Sequence, residues 1–250
     1  MANTAGQWPV ARPNWLLCAC PTLQASYAVA CNVKSKSLPL LLHSACKRDD
    51  AAGWRLRQWA LDHGASIDGL TGLGYDTNRE TILEALCSTH TNHNVEGVRW
   101  LLEQGAAIRP GSALIARIFQ SMCFMDLPSE RIRKLTGNAE YWVPERVEKY
   151  SQLLRLVHEA GADPNENQQI WGASRPRAIH FAARYRAPIP LLGILKAIGA
   201  DLTAPFTNDT GVRYPGNMTG GGIRVGATPL QIARESRCNR ETLRWFEQNS

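Results

Sequence analysis

The sequence predicts an all-α fold: a solenoid of about five helix-turn-helix units with a helical cap at the amino end and long inserted loops. Two short phrases carry that expectation, because each recurs along the chain and the two alternate in a fixed order. A third observation bounds it. No apolar run approaches the ~20 residues that a membrane-crossing helix needs, so membrane insertion is not expected.

The first phrase closes each unit. Trp59-Ala60-Leu61-Asp62-His63-Gly64-Ala65 is echoed by Leu101-Leu102-Glu103-Gln104-Gly105-Ala106. It returns around Gly161-Ala162 and Gly199-Ala200. Apolar residues on one face, followed by a glycine that can take the left-handed conformation, describe the end of an amphipathic helix. The Asp, Pro or Asn residues that follow start a turn.

The second phrase opens each unit. Thr228-Pro229-Leu230-Gln231-Ile232-Ala233 is the clearest copy, with Thr as N-cap and Pro at the first helical position. Weaker copies are Leu41-Leu42-His43-Ser44-Ala45, Thr81-Ile82-Leu83-Glu84-Ala85, Ser112-Ala113-Leu114-Ile115-Ala116 and Arg177-Ala178-Ile179-His180-Phe181-Ala182. With both phrases in register from about Leu38 to Phe246, the chain resembles the ankyrin repeat family. That resemblance implies a protein-binding array, and it implies that His43 and His180, in the fourth position of the phrase, make structural hydrogen bonds near the turn.

The Gly-Ala anchors at Gly64, Gly105, Gly161 and Gly199 are 41, 56 and 38 residues apart, each step longer than the ~33 residues of an ankyrin unit. The surplus falls near residues 68–79, 122–149 and 203–226, and insertions in such arrays become loops, often on the binding face. Residues 1–37 are expected to form the cap and residues 38–250 the array. The stretch from Leu16 to Cys31 has some signal-sequence character, but Pro21, Thr22, Gln24 and Ser26 interrupt its apolar core; a helix packed on the first unit is the expectation.

The composition, 44% hydrophobic and 20% charged, is that of a folded chain and excludes a disordered one. The net charge is +6, and of the 28 basic side chains only six are lysine. Arginine's planar fork suits recognition of carboxylate or phosphate. Seven cysteines without regular spacing read as buried small hydrophobes in a reducing, cytoplasmic compartment.

No hydrolase elbow, phosphate-cradling loop or paired zinc-ligand motif is present, and no catalytic residue, metal or cofactor is assigned. Cys87, His90 and His93 are three candidate ligands where structural zinc needs four.

Partner binding is expected at loop tips and the concave helix face. Trp171, Arg175, Arg177, Arg184, Tyr185 and Arg186 form the main candidate cluster, with Arg213 and Tyr214 on a later loop. Tyr, Trp and Arg are the types enriched at binding hot spots. The expected partner is a protein with an acidic or phosphorylated patch. Two alternatives stay open: an enzyme whose insertions close a pocket over the array, and a nucleic-acid binder, against which Glu130, Glu140, Glu145 and Glu148 count by breaking up the basic character. The arginines from Arg234 to Arg244 fit the polar outer face that a terminal unit requires.

Overall fold

The computed structural model describes residues 37–71, 80–88, 94–124, 142–167, 169–170, 173–174, 176–207 and 223–250. Among them the chain is helical. The ten helices are α1 (Leu38–Cys46), α2 (Ala51–Asp62), α3 (Ile82–Ser88), α4 (Val95–Glu103), α5 (Leu114–Phe124), α6 (Pro144–Glu159), α7 (Ala178–Arg184), α8 (Ile189–Ala197), α9 (Pro229–Glu235) and α10 (Arg240–Asn249). A two-residue antiparallel ladder pairs β1 (Gln169–Ile170) with β2 (Ala173–Ser174).

Local chemistry starts these helices. The side chains of Asp50, Asn94 and Asn239 accept from the backbone N–H three residues on, at 2.7, 3.0 and 2.7 Å, so α2, α4 and α10 begin with satisfied orphan donors. Pro39, Pro144 and Pro229 sit in the first turns of α1, α6 and α9, where a missing N–H costs nothing.

The helix ends follow the Gly-Ala phrase. Gly64, Gly105, Gly161 and Gly199 have φ of 89°, 88°, 107° and 87°. In each case the glycine N–H bonds back three residues and the alanine N–H bonds back five, as in Ala65 N to Ala60 O at 2.9 Å. This is the Schellman arrangement that the phrase predicts.

Odd-numbered helices pack in a row, α1 on α3, α3 on α5, α5 on α7 and α7 on α9. Each even-numbered helix packs on the odd one before it, and α4, α6 and α8 form a second row. One apolar cluster threads the stack from Leu38 to Phe246. The middle of the odd row is closed: Ile82–Cys87 of α3 and Ala178–Ala183 of α7 are buried throughout.

Some expectations need correction. The insertion at 122–149 is helical at both ends, since α5 runs to Phe124 and α6 begins at Pro144. Pro144, with Glu145 behind it, starts a helix instead of breaking one. His43 is the sixth residue of α1, whereas His180 is the third of α7, because α1 starts three residues earlier, at Leu38. Residues 1–36, 72–79 and 208–222 lie outside the described residues.

Candidate partner-binding surface

The third residue of α3, α7 and α9 performs one task with three chemistries. Glu84 Oε2, His180 Nδ1 and Gln231 Oε1 accept from the N–H of Thr81, Arg177 and Thr228, at 3.2, 3.1 and 3.0 Å. Each side chain thus closes a capping box or half of one. Because His180 Nδ1 accepts, Nε2 carries the proton, and it donates to the carbonyl of Ala204 in the turn of the next helix pair at 2.8 Å. Burial holds the His180 pKa down at about 4. The expected structural role of this histidine is what its geometry provides.

Glu84 reaches forward too, but through charge. The Arg109 guanidinium grips both its oxygens, with Nε at 2.8 Å from Oε1 and Nη2 on Oε2. A second pair, Arg117 with Glu80, lies beside it, and Arg117 also donates to Ser88 Oγ at 3.2 Å. Desolvation raises the Glu80 pKa against the pull of Arg117. These carboxylates are paired with arginines that join the start of α3 to α5 and its preceding turn.

The turns are stitched together in register. Asp68 Oδ1 accepts from Ala107 N at 2.9 Å, and Asn165 Oδ1 accepts from Asp201 N at 2.7 Å. Asp68 and Asn165 each stand four residues after their glycine, and each binds the residue two after the next glycine. Between Gly105 and Gly161, where the spacing is longest, the polarity reverses: Glu166 reaches back to Ala113 N at 2.7 Å and to Gly111 N.

The candidate residues fall into three groups. Trp171, Arg175, Arg213 and Tyr214 lie outside the described residues. Arg177 precedes α7, where its Nε donates to Asn167 Oδ1 at 3.3 Å and its guanidinium stands 4.0 Å from Asp201. It bridges two turns. Arg184, Tyr185 and Arg186 lie together at the other end of the helix, about 10 Å away by its rise. All three are half-buried. Tyr185 packs on the core and stacks with Phe181 at 6.3 Å. Arg186 Nε donates to Ser236 O at 2.8 Å, and Arg184 Nη1 approaches Ser236 Oγ at 3.4 Å.

The geometry adds a residue that sequence reasoning set aside. Arg186 and Arg237 both have left-handed backbones, φ 57° and 55°. Each follows its helix in the same Schellman pattern: Arg186 N bonds Ala183 O and Ala187 N bonds Ala182 O, while Arg237 N bonds Arg234 O and Cys238 N bonds Ala233 O. Aligning Ala182–Ala187 with Ala233–Cys238 exposes the match in the sequence itself. Arg57 was also missed. It is fully buried in α2, where it donates to the carbonyls of Ala45 and Arg48 at 3.2 and 2.5 Å. Its guanidinium carbon lies 4.5 Å from the Trp54 ring centroid and 5.6 Å from that of Trp100. The Trp54 to Arg57 spacing, one helical turn, is the signal that could have found it.

Reactive groups are muted. Burial pushes the thiols of Cys46 and Cys87 up to about 12 and that of Cys238 to about 11, away from nucleophilic character. Among the described residues no group of His, Cys, Asp and Glu is arranged to hold a metal ion; His90 and His93 lie outside them. No described helix is long and apolar enough to cross a membrane. No protein-family model matches this chain, and no curated protein matches it.

Proposed function

We propose that this chain is an ankyrin-type recognition module of about five units that binds a protein partner without catalysis, in a reducing cytoplasm. The observation that carries the reading is the repeated join between pairs: four glycine-capped ends, a forward-reaching third residue, and turn-to-turn bonds from Asp68 and Asn165. A stack joined this way is a rigid scaffold whose outward side chains are free to vary.

The buried interiors of α3 and α7 favour loop tips and helix ends over an open concave groove as the binding face. The end of α7 has the right residue types, with Arg184, Tyr185 and Arg186 side by side. Capture from native lysate on immobilised protein tests the reading. A partner retained by the wild type and lost with Arg184→Ala, at unchanged melting temperature, supports it. Retention of nothing above the bare resin overturns it.

A further inference from the structure

We infer that Arg186, Arg237, Arg240 and Arg244 form one docking patch for an acidic segment of a protein partner. The inference rests on the proposed recognition role and supplies the partner's chemistry. The turn from Ser236 to Asn239 is seated against the end of α7, with Cys238 Sγ 3.4 Å from Ala183 O and Arg186 Nε on Ser236 O. That contact brings Arg186 beside a turn that carries Arg237 and leads into Arg240. Arg240 and Arg244 are one turn apart and both exposed, so they share the outer face of α10.

The charge on this patch is not balanced locally. Glu235 is taken by Arg224 at 3.0 Å, and Glu247 by Arg234 at 2.9 Å. Among the described residues none of the four arginines forms an ion pair, and Glu241 is the one acid between Ser236 and Phe246. An arginine at the amino end of a helix is also on the wrong side of the helix dipole, so Arg240 is not there to stabilise α10.

Backbone strain points the same way. A left-handed arginine is disfavoured where glycine is free, and the chain uses glycine at four comparable helix ends. At Arg186 the side chain compensates by holding the carbonyl that ends α9. Arg237 has the equivalent backbone and an exposed guanidinium with no such acceptor among the described residues. A discrete carboxylate on a partner satisfies it. Glu241, next to Arg240, interrupts the basic run, which disfavours a continuous polyphosphate relative to spaced carboxylates.

The test is fluorescence anisotropy on the full chain with three labelled probes: a short alternating Glu/Ala peptide, its Gln/Ala counterpart and oligothymidylate. The wild type binds the glutamate peptide, with affinity falling as salt rises, and Arg237→Gly weakens it by about tenfold or more. Glycine suits the left-handed site, so this variant folds, with a melting temperature equal to or above the wild type. Arg240→Gln weakens binding as well. Equal binding of the glutamate and glutamine peptides, wild-type binding by Arg237→Gly, or tighter binding of oligothymidylate overturns the inference. A partner still captured from lysate in any of those cases leaves the recognition role standing and moves its surface elsewhere.

Discussion

Glu84 and His180 stand at the same position, third in their helices, and each ties its own helix start to the turn of the following pair. His180 does so as a neutral ring between Arg177 N and Ala204 O. Glu84 does so as an anion held by Arg109. One joint has thus been built once from a hydrogen bond and once from a charge pair.

The charged version depends on both partners. Glu84 is 2% exposed while Arg109 is 42% exposed, so removing the arginine strands a buried carboxylate. Arg109→Met is expected to destabilise by about 2–3 kcal/mol, below the full cost of breaking a deeply buried pair because the arginine is half in solvent. Glu84→Gln, which keeps an acceptor for Thr81 N, costs about 1 kcal/mol. Urea unfolding of the two single variants and the double gives a coupling of about 1 kcal/mol or more. Strict additivity would detach the pair from the joint.

The neutral version carries a pH dependence. Desolvation lowers the pKa of His180 to about 4 and, together with Lys47, that of His43 to about 3, from 6.5. Below pH 6.5 the unfolded chain takes up protons that the folded chain refuses, so the stability from these rings is complete above 6.5 and declines as pH falls through about 4. His180→Gln keeps the capping acceptor, as Gln231 does in α9, and removes one of the two titrations. Melting temperatures from pH 7 to 4 should fall less steeply in the variant; identical slopes would mean that His180 is not buried and neutral.

Arg57 is a test of how the first pair closes. Its guanidinium donates to the carbonyl of Ala45 in α1 and to that of Arg48 in the turn beyond it, and lies against two tryptophan rings. Arg57→Met fills similar volume but removes both guanidinium hydrogen bonds and the cation over the two rings, with an expected loss of about 2–3 kcal/mol. Arg57→Lys loses the fork geometry and recovers little of it. A neutral Arg57→Met would show that the packing of the stem, not the guanidinium, holds this joint.

Glycines divide into two kinds. A Cβ on Gly105 meets nothing within 4 Å, and its φ of 88° is the whole constraint; a Cβ on Gly97 runs into the carbonyl of Cys46 across the α1–α4 join. Gly105→Val is expected to cost ~1 kcal/mol or more. Gly97→Ala, although it adds one methyl group to a helix that favours alanine, is expected to cost more than Gly105→Ala. The reverse order in thermal melts would contradict the close approach of those helices.

What the sequence made legible was local. The helix ends at Gly64, Gly105, Gly161 and Gly199 and the capped start at Thr228 follow from short-range backbone chemistry, and residue order is enough to see them. His43 lies deeper in its helix because Leu38, Pro39 and Leu40 add most of a turn that the phrase alone does not register. Arg57 and the Glu84–Arg109 pair were invisible for a different reason. Burying a charge depends on what packs over it, and those partners lie 12 and 25 residues away. In the sequence the arginines around Arg237 fit a polar terminal face, because the strain that marks the patch is a dihedral angle.

Hydrogen–deuterium exchange on the full chain, with and without the partner captured from lysate, tests the central claim most directly. Binding through the patch slows exchange at residues 183–187 and 236–244 and leaves the outer helices α2 and α4 unchanged. Slowing confined to α2 and α4, or an unchanged pattern at saturating partner, would contradict it.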